Sequence, residues 1–346
     1  MNIKLKKILC ITVIICGIAA IGAALIMSFT KSQNTIRGTL LILGAVLEIL
    51  GFYFMPVKNH RKVINILFLF PLLFAFSITV IMPFIFGIFY SLTDWNGIKF
   101  ENFIGFQNYI TMFKSRDYMY SLGITLVFSI INIIMVNVGA FSLALLCTSG
   151  VRGRNFYRTA FFVPNLIGGI VLGYVWQFIF NRVLTTIFAG SLSMLTSPNL
   201  AILAIIIVST WQYAGYIMMI YVTGLQSVPK DVLEASGVDG ASGLTTLLKI
   251  KMPIIANTFT VCIFLTLVNS FKQFDLNLAI TNGGPSRILN GTAILSTEFL
   301  ALNIYKTAIS KNQYALGQTK AVVFFIILAI VSLTQVAISK KKEVEM

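Results

Sequence analysis

The chain alternates long apolar blocks with short polar pieces. Eight blocks, at about 8–29, 38–57, 63–91, 119–148, 159–180, 200–224, 252–271 and 321–339, are long enough to cross a membrane. A helix rises ~1.5 Å per residue, and the hydrocarbon core is ~30 Å thick. The third and fourth blocks exceed that length, which predicts tilt or interfacial turns. The stretch 288–305 contains Asn290, Glu298 and Asn303, and reads as an amphipathic segment outside the membrane core. The first block follows a basic start, MNIKLKK, as a secretory signal would. Its apolar run outlasts the ~7–15 residues of a signal's hydrophobic region, so a retained helix is expected.

Composition strengthens this reading. Only 11% of the residues are charged and 57% are hydrophobic, with mean hydropathy +0.89. Water-soluble domains run near ~25% charged, so too few charges exist here to make a wet surface. A net charge of +15 would suggest nucleic acid in a soluble protein. Here Lys and Arg gather at the ends of apolar blocks, where they set topology. Placing both termini in the cytoplasm puts 15 Lys and Arg in 56 inside residues, against 11 in 103 outside residues. The piece 225–251 is then cytoplasmic, and the long pieces 92–118 and 272–320 face the exterior. Cys10, Cys16, Cys147 and Cys262 form no CxxC pair, which supports neither a disulfide framework nor a zinc site. One histidine, His60, and the absence of GxxxxGK[ST] and HExxH leave no visible nucleotide-hydrolysing or zinc-protease site. Glu48 is the acid deep in a block. With no basic partner in the core blocks it reads as a snorkelling or partner-contacting residue rather than a proton relay.

The polar insert between the sixth and seventh blocks carries the most specific signal. Pro229 suits a first helical position, and Asp231 and Glu234 favour the positive end of a short helix. Asp239-Gly240 marks a turn in which Gly240 takes positive φ. A second short helix is expected from about Ser242 to Pro253, where the next membrane helix begins. Twenty-seven residues is long for a mere connection. Val228, Val232 and Leu233 recur as on a docking helix.

The insert resembles the cytoplasmic motif of binding-protein-dependent ABC importer membrane subunits: Glu-Ala-Ala, three residues, Gly, nine residues, Ile, one residue, Leu-Pro. The chain has Glu234-Ala235-Ser236, Gly240, Ile250 and Met252-Pro253 at those spacings, with Asp239 beside the glycine. Ser236 and Met252 depart from the pattern by swaps of similar size. LQSVPKDVLEASGVDGAS, PLLFAFSITVIMPFIFGIFYSLTDW, FIGFQNYITMF and TNGGPSRILNGT resemble the carbohydrate branch, as do Arg154, Phe156, Arg158, Pro164 and Trp176. The resemblance covers about 63–339. It implies an all-α membrane protein: a six-helix type I importer core over 63–339, two extra helices within 1–62, and a basic tail at 340–346. The eight-helix plan is similar to that of the larger membrane subunit of maltose importers, without its large extracellular domain.

The resemblance also implies the mechanism. A second, similar permease subunit would complete the pathway. Two ATPase subunits would bind ATP and Mg and dock on the helix at Glu234, so this chain would need no cofactor and be no enzyme. An extracellular solute-binding protein would deliver a sugar. For the sugar itself, two blocks offer hydrogen bonds and aromatic faces. Trp211, Gln212, Tyr213 and Tyr216 cluster in the sixth block. Thr266, Asn269, Ser270 and Gln273 follow i, i+3, i+4, i+7 spacing in the seventh and share one helix face. The competing reading of those polar residues is hydrogen bonding between helices. A competing function, an ion-gradient-driven secondary transporter, would need repeats and ionisable groups at mid-membrane, and neither is evident.

Overall fold

Backbone groups in hydrocarbon find no water, so apolar blocks satisfy them internally as helices. A computed structural model describes residues 3–29, 34–54, 60–188, 192–289 and 291–340. Most of the basic pieces at 58–62 and 340–346, including the side chain of His60, lie outside what is described, as does Asn290.

Two compact units divide the chain at residues 86 and 87. In the first, α1 (Ile3–Phe29) and α2 (Asn34–Phe54) form a hairpin. Glycine lets the two backbones meet: a Cβ on Gly44 would lie 2.9 Å from the carbonyl oxygen of Gly17, and one on Gly51 3.1 Å from that of Cys10. Glu48 packs against Gly17 across this seam. Helix α3 follows as His60–Phe76, a π-helical turn Ser77–Ile81, and Met82–Ser91.

The second unit contains α4 (Gln107–Lys114), α5 (Arg116–Thr148), α6 (Arg154–Leu166) and α7, which runs from Gly169 to Ile187 through a π turn. Then come α8 (Pro198–Gln226), α9 (Lys230–Val238), α10 (Gly243–Ile254), α11 (Ala256–Phe271) and α12 (Asp275–Ile280). A hairpin, β1 (Ser286–Leu289) with β2 (Thr292–Leu295), leads to α13 (Leu300–Tyr305) and α14 (Tyr314–Lys340). The hairpin is antiparallel, with Leu289 opposite Thr292 and Gly291 between them at φ +79°.

Among the described residues, seven helices are long and apolar enough to cross a membrane, or eight if the bent pair α10–α11 is one span. The chain is therefore a multi-pass membrane protein. The fifth block differs from expectation. Its span is Gly169–Ile187, not 159–180, because the chain breaks at Ile167, which is extended at ψ 127°. Pro164 and the Gly168-Gly169 pair sit at this break. Beyond it, Gly169 and Gly173 in GIVLG bring α7 against α12, where added Cβ atoms would come 2.7 Å from the Cβ of Asp275 and 2.5 Å from that of Ala279. The stretch 288–305 also differs: it holds strand and a short helix rather than one amphipathic segment, so among the described residues the architecture is helical with one small two-stranded sheet.

Helices α5 and α8 run side by side in the same direction. Phe128 packs with Ala204, Ile205 and Val208, and Ala140, Ala144 and Cys147 pack with Ile217, Met218, Tyr221 and Leu225. Helix α11 runs antiparallel to α5, as the bonds Asn132–Ser270 and Asn137–Thr266, each 2.8 Å, require.

Candidate functional site

The motif segment folds as a rigid corner. Helix α9 ends in a Schellman motif: the Ala241 amide donates to the Ser236 carbonyl at 3.0 Å and the Gly240 amide to that of Gly237 at 3.2 Å. Gly240 stands at φ +75°, which the motif needs and which only glycine adopts without strain. Ser242 then caps α10 by accepting from the Thr245 amide at 3.2 Å. Helix α10 includes a π-helical stretch, Thr246–Lys251, and meets α11 at a 73° bend at Ile255. The next membrane helix thus starts at Ala256, beyond the expected Pro253. Val228 and Ile255 are buried in the cluster of Val136, Tyr221 and Leu225, with Leu233 and Ile254 packed against it. The corner is therefore anchored directly to α5 and α8.

Its outward face differs from the expected one. Val228 and Leu233 turn inward, so they are anchors rather than docking residues. Ser236 is buried, and its hydroxyl donates to the Leu233 carbonyl at 2.7 Å. Glu234, Ala235, Asp239 and Pro253 are exposed, while Ile250 is half-buried. The apolar groups left in solvent are Val232, Val238 at 89% exposure, Leu244 at 66% and Leu248.

The eight residues proposed for a sugar divide in two. Gln212, Tyr213, Asn269 and Gln273 line one cavity of about 170 Å³, with Gly169, Lys272, Phe274 and Asp275. The break before α7 borders it: the Gln212 Nε2 donates to the Ile167 carbonyl at 3.2 Å. That bond fixes which way the amide points, and leaves Gln212 Oε1 as an acceptor with no partner. Gln273, which lines the same cavity, likewise holds a buried donor with no partner, its Nε2. Both side chains are 5% exposed. An unmet polar atom in such a place costs about 1–3 kcal/mol.

The other four lie elsewhere. Thr266 and Ser270 are bonded by Asn137 and Asn132 of α5, which makes them links between helices. Asn137 also accepts from the Tyr221 hydroxyl at 2.8 Å. Trp211 is exposed and meets the edge of Trp176 at 5.5 Å between centroids, and Tyr216 packs on the α5–α8 core. The expected shared face is thus not kept: Thr266, Asn269 and Ser270 lie on α11, while Gln273 lies beyond its end at Phe271, and the four divide between cavity and interface.

One buried charge escaped the sequence reading. Lys320, taken for an outside residue, lies inside α14 and is 3% exposed. Its ammonium donates to Asn303 Oδ1 and Thr307 Oγ1, each at 2.7 Å. The Asn303 amide in turn donates to Glu298 at 2.6 Å. The block boundary at 321 hid it; its i−1 neighbour Thr319 and the polar run before it gave no helical signal.

Known proteins place this arrangement. The family model "Binding-protein-dependent transport system inner membrane component" matches residues 140–343. The probable starch degradation products transport system permease protein AmyD of Thermoanaerobacterium thermosulfurigenes is 44% identical over 285 residues, covering 81% of this chain and 95% of that one. The multiple sugar-binding transport system permease protein MsmF of Streptococcus mutans is 31% identical, covering 75% and 89%. A solved structure of a bacterial ABC transporter that imports the acidic polysaccharide alginate superposes with TM-score 0.69 at 19% identity, over 81% of this chain and 96% of its own. At that identity the likeness establishes the fold of an ABC importer's membrane subunit. Corner, broken helices and matched length agree, and the chain belongs to the family of inner membrane components of binding-protein-dependent transport systems.

Proposed function

We propose that the chain is one permease subunit of an ATP-driven importer of uncharged sugars. The observation that carries the sugar assignment is that two residues lining one cavity, Gln212 and Gln273, each hold a buried amide atom with no hydrogen-bond partner, Oε1 and Nε2 respectively. A hydroxyl donates to the first and accepts from the second, so a polyhydroxylated ligand meets both needs at once. Lys272 and Asp275 on the rim balance each other in charge, which favours a neutral ligand over an acidic one. The names of the starch-product and multiple-sugar relatives support the same class.

In this reading both termini are cytoplasmic in the cell membrane. The α9–α10 corner docks on one of two ATPase subunits, with Val238, Leu244 and Leu248 meeting its apolar groove and Glu234 a basic residue. A second permease subunit completes the pathway, and an extracellular solute-binding protein delivers the sugar. ATP and Mg stay on the ATPase subunits. Closure of those subunits moves the corner, and its anchoring by Val228 and Ile255 carries the motion into α5, α8 and α11. The test is uptake of a panel of labelled sugars by the complete complex in vesicles. Gln273→Leu should lower uptake about fivefold or more, since it strands a sugar hydroxyl at a cost of roughly 1–3 kcal/mol. Unchanged uptake of every sugar in the Gln273→Leu complex would overturn the assignment of this cavity.

A further inference from the structure

Lys320 and Glu298 are the charged side chains buried among the described residues. They sit in one chain of bonds. Lys320 Nζ donates to Asn303 Oδ1, Asn303 Nδ2 to Glu298 Oε1, and Lys306 Nζ approaches Glu298 Oε2 at 3.3 Å. Lys306 also donates to the Asn282 carbonyl at 2.7 Å. The Tyr118 ring closes the space over Lys320, 5.7 Å from its ammonium. A buried ammonium is tolerated only when bonded in this way. The bonds tie α13 and the turn after it to α14 and to the loop before β1.

Helix α13 reaches one residue of the cavity wall. Tyr305, its last residue, meets Phe274 edge to face at 5.1 Å between centroids. Phe274 lines the cavity and adjoins Gln273. One face of α13 is therefore pinned by Lys320 through Asn303, and its end presses an aromatic wall of the candidate binding space.

We propose that Lys320 and Asn303 are positioning residues for transport: they hold α13 so that Tyr305 keeps Phe274 closed over Gln273. In the orientation set by the charge count this segment lies on the outer side, where the Tyr305–Phe274 contact is proposed as the barrier between cavity and exterior. Opening it requires a shift of α13, and the buried ammonium resists that shift by holding both Asn303 and Thr307. This inference rests on reading the cavity as the substrate's.

The experiment measures access rather than transport. In the complete complex, with the four native cysteines replaced, Gln273→Cys is labelled by a membrane-impermeant maleimide, without sugar. Labelling should be slow in the parent. Tyr305→Ala removes the ring of a residue that is 40% exposed, and should raise the rate about tenfold, as a closed state loses its excess population. Tyr305→Phe, which keeps the ring, should stay near the parent. Asn303→Leu breaks the tie to Lys320 and should match Tyr305→Ala. An unchanged rate in Tyr305→Ala, a fast rate in Tyr305→Phe, or an Asn303→Leu complex that melts earlier yet labels slowly would each overturn the proposal. No sugar is involved, so a complex that labels as expected but keeps its uptake on Gln273→Leu fails the cavity assignment and not this one.

Discussion

The Ala241 amide is bonded to the Ser236 carbonyl at 3.0 Å, across the single residue of the corner with φ +75°, Gly240. A Cβ there meets nothing within 4 Å, so crowding plays no part and the backbone angle alone decides. Left-handed conformation costs an ordinary residue about 1–2 kcal/mol and a β-branched one more. Gly240→Ala should weaken coupling of ATP hydrolysis to transport mildly, and Gly240→Val should weaken it strongly, with both chains still inserted in the membrane. Equal coupling in the two variants, measured as uptake per ATP hydrolysed, would remove the backbone explanation.

Glu234 is exposed on the same helix, beside the outward Val238. As one partner of an interfacial charge pair, its loss would cost roughly 2–5 kcal/mol, partly because the other charge is stranded. That amounts to on the order of 30-fold or more in docking. Glu234→Lys should be worse than Glu234→Ala, since two cations would then face each other. The purified Glu234→Lys complex should lack ATPase subunits or hydrolyse ATP without transport. Full ATPase stoichiometry together with normal uptake would mean that the corner does not dock through this carboxylate.

How much of this was legible in sequence depended on the range of the cause. Span number, the turn at Gly240 and the start of a short helix at about Ser242 follow from composition or from neighbours within a few residues, and they agree with the sequence. Roles decided by distant partners were not legible. Thr266 and Gln273 have the spacing of one helix face, yet α11 ends at Phe271, Thr266 is taken by Asn137, 129 positions away, and Gln273 lies past the helix end among the residues lining a cavity. Val228 and Leu233 have the spacing of a docking face, but the core of α5 and α8 claims them first. Two local signals were present and outweighed by the apolar blocks around them: Pro164 with Gly168-Gly169 at the break before α7, and Gly291, a turn-forming residue, between β1 and β2.

The loop after α3 carries a pH response of its own. The Asp94 carboxylate accepts the amides of Asn102 at 3.0 Å and Glu101 at 2.9 Å, and the Asn102 side chain at 3.0 Å. These bonds, that to the Asn102 backbone first, hold its pKa below the ordinary 3.8. A depressed carboxylate stabilises the fold above the unfolded pKa and stops doing so as pH falls through the folded one. Loop closure should therefore be complete at neutral pH and fade below 3.8. Hydrogen exchange at the Glu101 and Asn102 amides should quicken in acid beyond the intrinsic change, and Asp94→Asn should flatten that response. Acid-insensitive protection in the parent would show that the backbone bond between Asp94 and Asn102 closes the loop without the charge.

Gly215 gives the sharpest test of the packing itself. It lies in the middle of α8, where α6 crosses so closely that a Cβ would stand 1.8 Å from the Phe161 carbonyl oxygen and 2.4 Å from its carbon. Backbone, unlike a flexible side-chain end, cannot turn aside, so one methyl group must push two helices apart. Overpacking of a core typically costs about 1–3 kcal/mol, and a displaced helix backbone lies at or beyond that range. Separation of α6 from α8 would also draw Ile167 away from Gln212 Nε2 and distort the cavity wall. Gly215→Ala should therefore lower both the amount of folded chain in the membrane and sugar uptake per folded complex. Gly139→Ala in α5 is the control: an added Cβ there meets nothing within 4 Å, and alanine is the better helix former by about 1 kcal/mol. Detergent extracts assayed by thermal melting should rank Gly139→Ala at or above the parent and Gly215→Ala well below it. If Gly215→Ala melted with the parent, the close crossing of α6 on α8 would be wrong, and with it the placement of the break at Ile167 beside the cavity.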